Sequence, residues 1–76
     1  MKLPVLKPLE VLRALEGAGF HIHHQTGSHV RLVHKDRPDL RVTVPIHSRD
    51  LPRATLSRIL KQAQLTPDEF LRFLQQ

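Results

Sequence analysis

Of the six histidines in this chain, His29 stands where an imidazole can do chemistry. It follows Gly27 and Ser28 at a tight turn between two short alternating runs, Phe20 to Gln25 and Val30 to His34. That turn holds it at the start of a strand. Imidazole titrates near pH ~6.5, so it takes or gives a proton at neutral pH. Twelve Lys and Arg face seven Asp and Glu, a formal charge of +5. A proton-transfer group fixed on a sheet inside a positive field is what cleavage of a phosphodiester requires.

The neighbours of His29 have simpler expected roles. A nucleophilic Ser28 would need a base oriented by an acid, and no acid is placed to do that. Ser28 is expected to fix the turn through its hydroxyl. Gly27 supplies backbone freedom and room for close approach of a phosphodiester chain. Arg31, Lys35, Arg49, Arg53, Arg58 and Lys61 are the candidate phosphate contacts. Arg49 and Arg53 stand near a helix start, where the dipole also favours anions. His47, in the loop after Pro45 and Ile46, is a candidate second proton-transfer group or phosphate contact.

The remaining histidines read differently. His21 and His23 share one strand face at i and i+2, a spacing that can seat zinc. A tetrahedral site wants three or four protein ligands, and the chain has no cysteine and no carboxylate close by in sequence. No metal or other cofactor is expected, and His21 and His23 read as a solvated or partner-facing surface. His24 alternates with Phe20 and Ile22 and is expected in the interior, satisfied by hydrogen bonds. His34, at a strand end, is expected in solvent.

Length and composition set the frame. Seventy-six residues make one domain, 1–76. No disulfide is possible. No run reaches the ~18 apolar residues of a membrane span, and the first residues do not read as a signal peptide. A soluble cytoplasmic protein is expected, with no membrane partner. The sequence pI near 10.8 suits a phosphate backbone, an attraction that needs no sequence reading. There is no Trp or Tyr, and only three Phe. That disfavours stacking of bases on aromatic platforms and favours contact through phosphates and sugars.

The elements that must position these residues follow from periodicity. Pro8 to Gly17 reads as a helix with Pro8 at its first position. Leu9, Val11, Leu12 and Leu15 form its apolar face, and Gly17 and Gly19 supply a left-handed stop. Three strands follow. In the second, Val30, Leu32 and His34 alternate with His29, Arg31 and Val33. In the third, Leu40, Val42 and Val44 alternate with Arg41 and Thr43 until Pro45. Pro52 opens a second helix whose buried stripe is Leu56, Ile59, Leu60 and Ala63, with Arg53, Arg58 and Lys61 off it. Thr66, Pro67 and Glu69 form a capping box for a short last helix. The order is α-β-β-β-α-α, an α+β meander covered on one side by helices.

In this order three stretches resemble a known family. They are Gly27-Ser28-His29 after Gly19-Phe20, then Val42-Thr43-Val44-Pro45-Ile46-His47, then the run from Leu51 through Thr55-Leu56 and Ile59-Leu60-Lys61-Gln62-Ala63 to Leu65-Thr66-Pro67-Asp68-Glu69-Phe70-Leu71. Together they resemble the HicA toxins, also described as YcfA-like. The resemblance implies a fold similar to the double-stranded RNA-binding domain. It implies an mRNA interferase, a toxin that cuts RNA, silenced by a cognate HicB antitoxin. It gives the functional role to the histidine of the Gly-Ser-His turn, here His29. The sequence departs from the family pattern at Ala54 and Gln64, where many members have glycine. Gln64 must then adopt a left-handed backbone, or the helix must continue differently there.

The reading that results is a metal-independent endoribonuclease. His29 would act as acid or base while a ribose 2′-OH attacks the adjacent phosphate, leaving a 2′,3′-cyclic phosphate and a 5′-hydroxyl. A rival of another class is a non-catalytic RNA-binding module on the same fold. A third is a metal-binding or chaperone-like protein using the histidine-rich strand.

Overall fold

The computed structural model describes residues 3–46 and 49–75. Along the chain run α1 (Pro8–Gly17), β1 (Phe20–Thr26), β2 (His29–His34), β3 (Arg41–Pro45), α2 (Arg53–Ala63) and α3 (Pro67–Leu74). The strands form one antiparallel sheet in the order β1-β2-β3, the α+β meander that the hydrophobic periodicity predicts. Among the described residues, no helix is long and apolar enough to cross a membrane.

The inner sheet face carries Val30, Leu32, Val42 and Val44, each almost fully buried. It packs with Val11, Leu15, Leu56, Ile59 and Phe70 from the helices in a single core cluster. Each such side chain contributes roughly 1.5–3 kcal/mol relative to exposure. Leu6 and Val11 are both buried and flank the start of α1 as a hydrophobic staple. The Lys7 N–H donates to Glu10 Oε1 at 3.0 Å and closes that end. Leu9, expected on the buried face of α1, is 67% exposed. The stripe runs instead through Val11, Leu12, Ala14 and Leu15, the positions that a helix turns toward the sheet.

Two expectations about histidines are overturned. His34 is half-buried rather than solvated. Its Nδ1 accepts from the Asp36 N–H at 3.1 Å, so Nε2 holds the hydrogen that is donated to the Ala18 carbonyl at 3.1 Å. Its ring meets Phe20 edge-on, with centroids 5.0 Å apart. Gly19 makes room for it, with φ +105 and a position where any Cβ would lie 2.7 Å from His34 Nε2.

His24 is exposed rather than interior. The β1–β2 register shifts between Ile22, opposite Leu32, and His24, opposite Arg31. That β-bulge inserts one residue and reverses the alternation beyond it. His24 therefore joins Arg31 on the outer face, and Gln25 takes the inner parity, opposite Val30. Both stay exposed, since β1 is buried only at Phe20.

The C-terminal end of α2 carries a local cost. Gln64 adopts φ 57 and ψ 40, left-handed, which is one of the two outcomes expected there. The Leu65 N–H reaches the Leu60 carbonyl at 3.0 Å and closes the helix in Schellman fashion. In α3 the capping box forms in both directions. Thr66 N–H donates to Glu69 Oε1 at 2.9 Å, and Glu69 N–H donates to Thr66 Oγ1 at 3.1 Å.

Two outcomes follow. Gln64→Gly relieves the left-handed strain and raises stability by about 1 kcal/mol, or about 4–8 °C in Tm. An unchanged or lower melting temperature would refute that account. The hydrogen bond from the Thr66 backbone, then that from its hydroxyl, holds the Glu69 carboxyl below its ordinary 4.5. A depressed carboxyl stabilises the fold above pH 4.5 and loses that contribution as pH falls through the folded value. Glu69→Gln keeps the box but not the titration, so its stability declines less steeply on acidification below pH 4.5, measured by denaturant melts across pH.

Candidate nucleic-acid interface around His29

A two-residue turn, Gly27-Ser28, joins β1 to β2 and pairs Thr26 with His29. Gly27 occupies the first central position with φ +43, where tight hairpin turns of this kind place glycine. Beyond its Cα lies open space. His29 is the first residue of the central strand, opposite Pro45 of β3. Its side chain lies on the outer parity of the sheet, opposite to buried Val30, and it is exposed. Ser28 Oγ stands 3.2 Å from His29 Nδ1. The sequence assigns this hydroxyl to the turn; the partner it has in the structure is the His29 ring. A base form with Nε2 free and a doubly protonated acid form both have Nδ1–H donating to that hydroxyl. Nε2 is the nitrogen left to face a ligand.

His29 lines a shallow depression of about 260 Å³ with Thr43, Pro45, Arg58 and Gln62. Helix α2 closes one side of it. Arg58 and Gln62 are four residues apart and so project from one helix face. The Gln62 Oε1 accepts the Thr43 N–H at 3.3 Å. Hydrogen bonds Ile46 N–H to Ser28 O and His34 N–H to Leu40 O fix the β2–β3 ladder. By alternation Thr43 then points its N–H off the sheet edge, where Gln62 satisfies it. The amide NH₂ of Gln62 remains available to an anion. Sequence reasoning did not single out Thr43 or Gln62 for this site. The i, i+4 spacing of Arg58 and Gln62 was the available signal, but nothing in the sequence says which strand that face meets.

The other sequence candidates are spread out. Arg31 is exposed two residues along β2 on the same face as His29. Lys61 is exposed on α2, one turn beyond Arg58. Arg49 and Arg53 are exposed before and at the start of α2, whose first turn carries no acid and whose N-terminus has no side-chain cap. They do not line the His29 depression. Lys35 is not brought to His29. Its N–H donates to the Gly19 carbonyl at the opposite end of β2, six residues and roughly 20 Å along the strand. His47 lies outside the described residues.

Electrostatically the region has one sign. No carboxylate lines the His29 depression. Among the described residues the one ion pair is Arg37–Asp39, in the β2–β3 turn. The Arg37 hydrogen bond holds the Asp39 carboxyl below its ordinary value. No cluster of three His, Asp or Glu side chains suited to a metal ion occurs among the described residues.

No curated protein matches the chain. A family model described as the HicA toxin of bacterial toxin-antitoxin systems matches residues 9–65. That span runs from α1 to the end of α2 and holds the Gly27-Ser28-His29 turn, the whole sheet, Arg58 and Gln62. With most of its length matched, and the matched part containing the His29 depression, the chain belongs to the HicA toxin family of bacterial toxin–antitoxin systems.

Proposed function

We propose that this toxin is a metal-independent endoribonuclease, with His29 as its proton-transfer residue. The observation that carries the reading is the shared depression of His29, Arg58 and Gln62, exposed and free of carboxylates. A ribose 2′-oxygen attacks the adjacent phosphorus while the bond to the 5′-oxygen breaks. The 2′-hydroxyl gives up one proton and the departing 5′-oxygen gains one. His29 Nε2 carries one of these transfers, and Ser28 holds the ring by Nδ1. Arg58 and the Gln62 amide donate to the non-bridging oxygens, where charge builds in the pentavalent state. The products are a 2′,3′-cyclic phosphate and a 5′-hydroxyl.

The family implies an antitoxin partner. We take it to be a HicB-type protein that covers the His29 depression, with acidic side chains meeting its cationic rim. A non-catalytic RNA-binding role on the same fold is the rival reading. It needs the arginines but not His29.

Replacing His29 with Ala separates the two. Cleavage of RNA and growth arrest should fall by about 10²–10⁴-fold, with thermal melting unchanged because the side chain is exposed. A His29→Ala protein that still cuts would overturn the catalytic assignment. The wild-type reaction should persist in EDTA; loss of cleavage there would bring a metal into the account. Arg58→Gln should weaken RNA binding and flatten the salt dependence by about 0.7 in log K against log salt on single strands. An unaltered slope would remove Arg58 from the phosphate contacts.

A further inference from the structure

The outer face of the sheet has a use that the His29 depression does not exhaust. Cross-strand pairing arranges it in three rows: Thr26–His29–Pro45, His24–Arg31–Thr43 and His21–Val33–Arg41. Rows two residues apart are separated by roughly 6.8 Å, twice the strand rise. That is comparable with the step between successive phosphates of an extended ribonucleotide chain. Each row has one arginine at hand: Arg58 from α2 beside the first, then Arg31, then Arg41. Arg31 and Arg41 have no ion pair among the described residues. Arg41 uses only Nε, at 3.5 Å from the Pro38 carbonyl, which leaves both Nη groups free.

The bulge in β1 completes the surface. It places His23 and His24 together in a second groove of about 340 Å³, with Arg31, Val33, Arg41 and Thr43 among its lining residues. Thr43 borders this groove and the His29 depression alike, so the two adjoin. No carboxylate lines either one. Phe20 and Phe70 are buried and Phe73 is half-buried, so the exposed flat surfaces are imidazoles and guanidinium planes. Both stack on unpaired bases.

We infer that the outer sheet face from His29 to Arg41 is a track for the single-stranded RNA that flanks the scissile linkage. Arg31 and Arg41 hold successive phosphates, and His23 and His24 stack against bases. The word scissile rests on the function proposed above; the binding itself does not. A duplex fits this surface poorly, because its bases are stacked inside and offer no face to an imidazole. An acidic protein would satisfy the arginines but gives the bulged histidines nothing flat to stack on.

The test uses a fully 2′-O-methylated octaribonucleotide, which cannot be cleaved through a 2′-hydroxyl. Its binding is followed by fluorescence anisotropy across salt, with the same octamer in duplex form and a polyglutamate alongside. The double variant His24→Ala/Arg41→Gln should bind the single strand about tenfold more weakly. Its salt slope should fall by about 0.7, for one lost phosphate contact. Arg41→Glu should enlarge the loss. Arg13→Gln, the same charge change on exposed α1, should leave binding unaltered. All three positions, Arg13, His24 and Arg41, are exposed, so melting temperatures should match the wild type.

Wild-type affinity in the double variant would overturn the track. So would a loss shared by Arg13→Gln, which reports only net charge, or a loss confined to the duplex or to polyglutamate. Because the probe is uncleavable, these results do not depend on whether His29 transfers a proton. Active enzyme with indifferent Arg41 sinks the track alone, and inactive protein with the stated binding loss sinks the cleavage reading alone.

Discussion

The central strand β2 is the constraint on which this molecule rests. It pairs on both edges and must place Val30 and Leu32 in the core. Strand geometry then fixes His29 and Arg31 on the opposite face, because successive side chains alternate. A one-residue slip would expose both apolar side chains and bury the histidine and the arginine, so the register is strongly held. The position of the imidazole is thus a consequence of core burial. No hydrogen bond to an acid is needed to hold it there.

Two local irregularities adapt that rule to a binding surface. The Gly27-Ser28 turn ends β1 next to His29 and sets the serine hydroxyl against the ring. The bulge after Ile22 reverses the parity of the rest of β1 and gathers imidazoles on the outer face. Beyond Phe20 every residue of β1 is exposed, Gln25 on the inner parity included, so the bulge selects a face for His24 without changing its burial. Burying a polar ring without partners costs on the order of 1–3 kcal/mol. His34 avoids that cost. It is half-buried with both ring nitrogens satisfied, over a glycine that leaves space for it.

Helix α2 links stability to the site. Its inner stripe of Leu56, Ile59, Leu60 and Ala63 anchors it in the core. The same anchoring presents Arg58 and Gln62 to the edge of β3, where Gln62 takes the otherwise unpaired Thr43 N–H. An exposed strand edge is a template for unwanted pairing, and this contact blunts it. Meanwhile the acidic residues sit on α1 and α3, in the β2–β3 turn and before α2. The two grooves of the sheet are left with arginine and histidine and no counter-charge.

The sequence by itself determined the element order, the buried stripes of α2 and β3, the capping box of α3 and the exposed place of His29 at a turn. Those features follow from local periodicity, from proline and glycine chemistry and from caps, all of which act over a few residues. The left-handed Gln64 was also legible as an alternative, because a helix end needs such a residue whether or not glycine is present. Tertiary structure alone decided the rest. A bulge depends on which partner residue each strand position meets, so the faces of His24 and Gln25 could not be read from alternation. The burial of His34 depended on Gly19 lying beneath it, fifteen positions earlier in the chain. The meeting of His29 with Arg58 and Gln62 depended on how α2 docks against β3, a long-range packing choice that no local pattern encodes.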